Sequence, residues 1–159
     1  MSQIKIVFVC TGNTCRSPMA AAMAAQIFEE AGLAAVVLSA GVSAWPNQPA
    51  SRHAIMVMEE GGLCLLAHKA SIVSDNILDD ASVVLAMTGS HQAILLSDYP
   101  MAKEKIFTLA GYVGESIDVS DPFGGSLEDY RACAAQIKGL LVLAVERLKN
   151  AASHPGDIN

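Results

Sequence analysis

The sequence predicts a doubly wound α/β sandwich of three layers, in which helices flank a four-stranded parallel sheet. Short, continuous apolar runs rich in β-branched residues alternate with longer segments of helical pattern, and this alternation is typical of parallel sheets buried on both faces. The expected strands are 4–9, 35–40, 82–87 and 105–109. With 159 residues, of which 52% are hydrophobic, the chain is expected to form one domain over residues 1–159.

The first strand and helix have the clearest boundaries. The run IKIVFV at 4–9 is followed by a polar octet and then by an alanine-rich stretch. Ser17 is a good N-cap residue and Pro18 suits the first helical position, so a helix is expected to begin there. Gly32 is expected to end it.

The remaining helices follow from apolar spacing. Helical patterns occupy 51–62, 74–81 and 90–100, and a long last helix is expected from about 127 to 151. That helix would present one apolar face, formed by Tyr130, Ala134, Ile137, Leu141 and Val145. Residues from about 152 to 159 are expected to be a frayed tail. The connections 43–51 and 111–126 are long for a compact domain, and loops of that length are more often functional.

Composition excludes several classes of function. The net charge of −6 argues against a nucleic-acid partner, which normally requires clustered basic residues. No apolar run reaches the length of a membrane helix, and the N-terminus lacks the features of a signal peptide. Cys64 and Cys133 lie in apolar segments typical of a core, which indicates reduced thiols. We therefore expect a cytoplasmic protein, without a membrane partner, that acts as a monomer.

The octet CTGNTCRS, residues 10–17, is the candidate functional site. Two cysteines and an arginine at a strand-to-helix turn could serve a disulfide, a metal site, a redox pair or a phosphate-handling nucleophile. Five residues separate Cys10 from Arg16, enough for a loop whose N–H groups converge above the Cys10 thiol. The helix N-terminus favours an anion there, and Arg16 can bind two phosphate oxygens at once. The candidate phosphate-binding residues are Thr11, Gly12, Asn13, Thr14, Cys15, Arg16 and Ser17.

The motif VCTGNTCRSPMA resembles the active-site signature of low-molecular-weight protein phosphatases. DPFGGS at 121–126, SAG at 39–41 and VLAMT at 84–88 also match, so the resemblance spans nearly the whole chain. It implies a flavodoxin-like topology and hydrolysis through a phosphocysteine on Cys10. Asp121 would protonate the leaving group and then activate water. Neither a cofactor nor a metal is expected.

Two departures from the eukaryotic-type signature bear on the substrate, which would be a phosphorylated protein. Thr14 stands where tyrosine phosphatases of the family commonly carry isoleucine, and the acid loop reads D-P-F-G-G in place of D-P-Y-Y. Both match the branch that includes bacterial protein-arginine phosphatases. A threonine hydroxyl offers a guanidinium a polar partner, and Phe123 and Trp45 would provide walls for a flat group. Phosphoarginine is therefore favoured, with phosphotyrosine as the alternative.

Two other classes of function remain open at this point. Thioredoxin-coupled arsenate reductases resemble this pattern, but they need two further cysteines close together, whereas Cys64 and Cys133 are far apart in sequence. A non-catalytic phosphopeptide-binding module is the second alternative, although the catalytic set is complete.

Several residues have both a functional and a structural interpretation. The resemblance suggests that Cys15 forms a protective disulfide with Cys10, but Cys15 could equally be a packing residue. Ser39 and His68 would support the loop through Asn13. Asp118 is the rival of Asp121 for the acid role. Trp45 could instead anchor its own loop, and His53 and His91 are interpreted as ordinary helix residues.

Overall fold

A computed structural model describes residues 3–153 of the chain. The strands are β1 (Ile4–Cys10), β2 (Ala35–Gly41), β3 (Val83–Ala86) and β4 (Ile106–Thr108). The helices are α1 (Arg16–Glu30), α2 (Arg52–Glu60), α3 (Asp75–Asp80), α4 (Gly89–Asp98), α5 (Leu109–Tyr112) and α6 (Leu127–Ser153), and a 3₁₀ helix spans Pro100–Lys105.

The four strands form one parallel sheet in the order β2-β1-β3-β4. The predicted four-stranded, doubly wound sheet is therefore confirmed. The chain leaves β1 for β2 on one side and later returns to pair β3 on the other side. Ligands of such sheets bind where the strand order reverses, at the carboxyl ends of the strands. Cys10, the last residue of β1, lies at this point.

The sheet separates two hydrophobic cores, as a three-layer sandwich requires. Because side chains alternate along a strand, Ile6 and Phe8 of β1 pack in the core that α1, α2, α5 and α6 cover. Val7 and Val9 point to the other core, which α3 and α4 cover. All four of these β1 side chains have no exposed surface, so the strand that carries Cys10 is rigidly held from both sides.

The last helix follows its predicted face closely. Four of the five predicted residues are buried and the fifth is half-buried, in the order Tyr130, Ala134, Ile137, Leu141 and Val145. The helix continues through Ala152 and Ser153, two residues into the predicted tail. Residues 154–159, the rest of that prediction, lie outside the described residues.

Two expectations about single residues are wrong. Helix α1 begins at Arg16 with Cys15 in the N-cap position and no side-chain cap, while Ser17 is a fully buried helical residue. The Ser17 hydroxyl has other partners, described below. Of the two cysteines expected in the core, Cys133 is buried but Cys64 is exposed, because the chain after α2 runs along the surface. Gly32, by contrast, ends α1 as predicted, with a φ of +75° just after the last turn.

Within residues 3–153, no helix is both long enough and apolar enough to span a bilayer.

Candidate active site

The octet forms a tight loop between β1 and the uncapped start of α1. Helices α2 to α5 each begin with a serine or threonine whose side chain accepts a backbone N–H. Helix α1 has no such cap. Its first N–H groups are therefore available to an anion, and the positive end of the helix dipole favours one.

Asn13 holds this loop in shape from inside. Its backbone adopts a φ of +56°, which asparagine tolerates better than most residues. The side chain is fully buried. Its Nδ2 donates to Ser17 Oγ at 2.8 Å and to Ser39 Oγ at 2.9 Å, and its Oδ1 accepts from the Ser71 N–H at 2.9 Å. Ser39 thus lies where the sequence analysis expected it.

His68 braces the same residue from outside. Its Nε2 lies 2.7 Å from the Asn13 carbonyl oxygen. A carbonyl oxygen can only accept, so Nε2 carries the proton and donates. This contact reaches the backbone of Asn13 and leaves the side-chain network free to hold the serines.

Gly41 constrains the loop as well, because β2 passes very close to it. A Cβ atom on Gly41, at the end of β2, would lie 2.4 Å from the Thr11 carbonyl oxygen and 3.0 Å from the Asn13 N. Only glycine allows β2 to approach the loop so closely.

Cys10 lies at the floor of the loop with a hydroxyl donor beside its sulfur. The residue is 3% exposed and its Sγ is 2.9 Å from Ser17 Oγ. Asn13 donates to Ser17 Oγ, so the Ser17 hydroxyl proton has two acceptors within reach: the Cys10 sulfur at 2.9 Å and, at a longer 3.5 Å, the Ala40 carbonyl oxygen. The shorter distance favours the sulfur. A hydrogen bond donated to sulfur stabilises its negative charge and hence the nucleophilic form.

Arg16 and Asp121 face each other across the opening. The Arg16 side chain is 6% exposed, and its Nη2 lies 3.5 Å from Asp121 Oδ2. Its Nη1 donates to the Val119 carbonyl at 3.1 Å, so the arginine also tethers the acid loop. The Asp121 side chain is 52% exposed, which leaves its carboxylate accessible to a substrate and to water.

These groups enclose a cavity of about 310 Å³. Eight of its nine lining residues are the candidate nucleophile, loop residues and acid-loop residues of the sequence analysis: Cys10, Thr11, Gly12, Thr14, Cys15, Arg16, Asp121 and Phe123; the ninth is Gln48. A thiol at the floor, the uncapped start of α1, a buried guanidinium and an accessible carboxylate suit transfer of a phosphoryl group to sulfur.

A family model described as low molecular weight phosphotyrosine protein phosphatase matches residues 5–153. The chain belongs to this family. A protein-arginine-phosphatase of Bacillus subtilis (strain 168) is 43% identical over 145 residues, which cover 91% of this chain and 96% of the relative. The low molecular weight protein-tyrosine-phosphatase PtpB of Staphylococcus epidermidis is 33% identical and covers 87% of this chain and 94% of its own length.

A solved relative shows how far the fold agrees. It is a variant of the YwlE arginine phosphatase with a phosphorylated active-site serine, 42% identical, with a TM-score of 0.89. The match covers 92% of this chain and 96% of that protein. The α/β class and doubly wound arrangement are therefore those of a low molecular weight phosphatase.

In this phosphatase the second loop cysteine has partners of its own. Cys15 is 5% exposed, and its Sγ lies 3.2 Å from Tyr130 Oη and 3.4 Å from Ser51 Oγ. Burial raises the pKa of the Tyr130 hydroxyl to about 12, and its contact with Cys15 acts in the same direction. All four cysteines are free, so a disulfide between Cys15 and Cys10 stays a prediction.

The structure separates the two aromatic residues that were expected to form walls. Phe123 lines the cavity mouth and is 74% exposed. Trp45 is 78% exposed and is absent from the cavity lining. A turn closed by the Gln48 N–H on the Trp45 carbonyl, at 3.3 Å, separates the two residues, and it is Gln48 that lines the cavity. The length of the loop signalled function, but no local pattern identified this glutamine.

The two acid-loop aspartates also occupy different places. Asp118 Oδ1 accepts from the Gly89 N–H at 3.0 Å, so this carboxylate lies at the start of α4 and does not line the cavity. Asp121 lines it. The geometry therefore favours Asp121 for the acid role.

His91 is a residue whose place the sequence analysis missed. It is 4% exposed, and its Nε2 lies 2.7 Å from Thr11 Oγ1. Burial lowers its pKa to about 4, and the positive charge of Arg16 acts in the same direction, against the weaker opposing effects of Asp121 and Asp118. Its position on the third residue of a helix gave no local signal for this contact.

Proposed function

We propose that this phosphatase hydrolyses phosphoarginine in proteins through a phosphocysteine intermediate. The observation that carries the substrate assignment is the presence of Thr14 in the lining of the cavity that holds Cys10 and Asp121. A threonine hydroxyl can accept a hydrogen bond from the substrate guanidinium, which an isoleucine at this position cannot do. Similarity to a protein-arginine-phosphatase supports the same substrate.

In the first step, the Cys10 thiolate attacks phosphorus and the P–N bond breaks. Asp121 gives its proton to the leaving nitrogen, which departs as the guanidinium of arginine. The phosphoryl oxygens are stabilised by Arg16 and by the N–H groups of the loop. The Ser17 hydroxyl stabilises the sulfur before the attack and when the sulfur leaves.

In the second step, Asp121 is a carboxylate and takes a proton from water. The oxygen of that water attacks phosphorus, the S–P bond breaks, and inorganic phosphate and the Cys10 thiolate are released. The 3.5 Å ion pair between Arg16 and Asp121 keeps the carboxylate near the opening in the free enzyme. Binding of phosphate would give Arg16 a second anionic partner and so release Asp121 for proton transfer.

Hydrolysis of phosphotyrosine is the alternative. Phe123 at the mouth offers a face to a phenol ring as well as to a guanidinium, and PtpB, with 33% identity, is a tyrosine phosphatase by name. The two substrates differ in their need for a polar partner beside the leaving group. Thr14 is therefore the residue to test.

The test compares kcat/KM for phosphoarginine and phosphotyrosine peptides of matched sequence, with Cys10→Ser as the blank. Thr14→Val removes only the hydroxyl and Thr14→Ile adds bulk. We expect a preference for phosphoarginine that falls about tenfold in Thr14→Val, the value of one hydrogen bond to a charged group. In Thr14→Ile the preference should move further toward phosphotyrosine.

The outcomes separate the hypotheses. A wild type that prefers phosphotyrosine would leave the mechanism intact and refute the role given to Thr14. Activity equal to that of Cys10→Ser on both peptides would refute hydrolysis and favour a phosphopeptide-binding module or an arsenate reductase.

We further expect the enzyme to act as a monomer in the cytoplasm on phosphorylated proteins. The candidate nucleophile, guanidinium and acid of a single chain already surround one cavity, and the cysteine usage of the sequence is typical of reducing compartments. Gel filtration at micromolar concentration tests the first expectation, and cell fractionation tests the second.

A further inference from the structure

His91 connects α4 to the residue that follows the candidate nucleophile. Its Nε2 lies 2.7 Å from Thr11 Oγ1 and its Nδ1 lies 2.9 Å from Thr88 Oγ1. Both ring nitrogens of this buried imidazole are therefore bonded to hydroxyl groups. Since a hydroxyl can donate or accept, the direction of the two bonds has to be worked out from their surroundings.

The contacts of Thr88 indicate which ring nitrogen of His91 donates and which accepts. Thr88 Oγ1 accepts the backbone N–H of His91 at 3.2 Å, as the N-cap of α4. The proton of the Thr88 hydroxyl then needs an acceptor, and in the described part of the chain His91 Nδ1 is the one within reach. This arrangement satisfies both hydroxyl groups, and we therefore assign the proton of the neutral ring to Nε2, with Nδ1 as the acceptor.

The N–H group at Nε2 then donates a hydrogen bond to the Thr11 hydroxyl. Thr11 Oγ1 accepts from His91 Nε2, which leaves its own proton free to be donated elsewhere. Thr11 is exposed, lines the cavity and directly follows Cys10. The oxygens of a phosphoryl group accept hydrogen bonds and do not donate them when they are fully ionised, so they match a hydroxyl whose proton faces the cavity.

We propose that His91 is a positioning residue that orients the Thr11 hydroxyl as a hydrogen-bond donor to a phosphoryl oxygen of the bound substrate. The role rests on the proposed phosphatase function, which supplies the phosphoryl group. His91 itself does not touch the substrate and acts through Thr11.

The charges around His91 agree with this role. Burial is the largest effect and favours the neutral ring. Arg16 also opposes a positive charge there, whereas Asp121 and Asp118 favour one more weakly. A protonated ring would place a second N–H opposite Thr88, whose hydroxyl would lose its acceptor. The neutral ring therefore keeps one fixed hydrogen-bond direction throughout the neutral pH range.

The kinetic test is a double-mutant cycle between Thr11 and His91. Thr11→Val and His91→Phe should each lower kcat/KM about tenfold, the loss of one hydrogen bond to a charged group. The double variant should be no worse than Thr11→Val alone, because His91 acts only through the hydroxyl. Thr11→Ser should retain activity, and Ser90→Ala, an exposed neighbour on α4, serves as the unperturbed control.

Two results of the cycle would overturn the proposal. One is a double variant about a hundredfold slower than the wild type, the product of two independent losses. The other is full activity in Thr11→Val. Binding of inorganic phosphate, measured by calorimetry, should weaken in Thr11→Val and in His91→Phe by the same factor, which a loss of general stability would not produce.

A second measurement uses the unaltered protein and needs no activity. Nitrogen-15 NMR of the histidine rings should show His91 protonated on Nε2 and unchanged from pH 5.5 to 8, with its signals assigned by their loss in His91→Gln. A ring protonated on Nδ1, or one that titrates near the ordinary pKa of 6.5, would refute the proposal. If the wild type hydrolysed neither peptide, the proposed function would fail, while the NMR and phosphate-binding results would still decide the role of His91.

Discussion

Replacement of Asn13 by alanine should destabilise the protein strongly, because the hydrogen-bond network inside the loop formed by residues 10–17 depends on this side chain. Alanine removes three hydrogen bonds of 2.8, 2.9 and 2.9 Å, to Ser17, Ser39 and the Ser71 N–H. At about 1 kcal/mol net for each bond, the loss is about 3 kcal/mol. A φ of +56° adds about 1 kcal/mol for alanine in the left-handed region. The expected loss is about 4 kcal/mol, somewhat less than the lower end of the 5 to 15 kcal/mol that is the usual free energy of unfolding of a folded domain.

Asn47 provides a matched control, since it has a φ of +69° but is exposed. Asn47→Ala should therefore cost only the backbone contribution, about 1 kcal/mol. Urea denaturation followed by circular dichroism measures both. With a slope of about 2 kcal/mol per molar urea, the midpoint should fall by about 2 M for Asn13→Ala and about 0.5 M for Asn47→Ala. Equal shifts in the two variants would show that the buried network contributes nothing and would refute the reasoning.

Three further predictions concern single titratable groups. Asp121→Asn should lower kcat/KM for a phosphoarginine peptide about a hundredfold through loss of the general acid, with phosphate binding retained, and an equal loss in Asp118→Asn would contradict the assignment. The pKa of His91 falls from its ordinary 6.5 to about 4, so the unfolded chain binds its proton first as the pH falls. The stability that depends on the neutral ring is fully present above pH 6.5 and is lost as the pH falls toward 4. Between pH 7 and 5 the free energy of unfolding, measured with urea, should therefore fall by about 2 kcal/mol more in the wild type than in His91→Gln. If the two proteins lost the same free energy over this range, the prediction would be wrong. Burial raises the pKa of the Cys133 thiol to about 12, so iodoacetamide at pH 8 should alkylate the exposed Cys64 and spare Cys133, as peptide mass spectrometry would show; equal labelling of both would contradict the assigned burial.

The features that the sequence predicted correctly are each determined by a short stretch of chain. The loop around the candidate nucleophile is one contiguous octet, and the order of its residues alone places Cys10 at a strand end and Arg16 at a helix start. Gly32 ends α1 for an equally local reason. Local rules failed at Ser17, where a good capping residue is turned into the interior by hydrogen bonds from Asn13 and to Cys10.

The contacts that prediction missed join residues far apart in the chain. Thr11 and His91 are separated by 80 positions, and Cys15 and Tyr130 by 115. Neither pair has a local signature, because each exists only after the strands assemble in the order β2-β1-β3-β4. Trp45 and Gln48 make the same point, since loop length predicted a functional segment but only the turn decides which side chain meets the cavity.

The sequence by itself thus determined the fold class and the candidate nucleophile loop, because apolar periodicity and the spacing within one turn are local properties. The acid motif followed from the resemblance to a known family. The tertiary structure decided how the nucleophile loop is held and lined. Three residues contact this loop from neighbouring elements: Ser39 and Gly41 near the end of β2, and His91 at the start of α4. They can do so because the strands on both sides of β1 end at the same edge of the sheet as β1 does. That convergence comes from long-range packing, which no window of sequence contains.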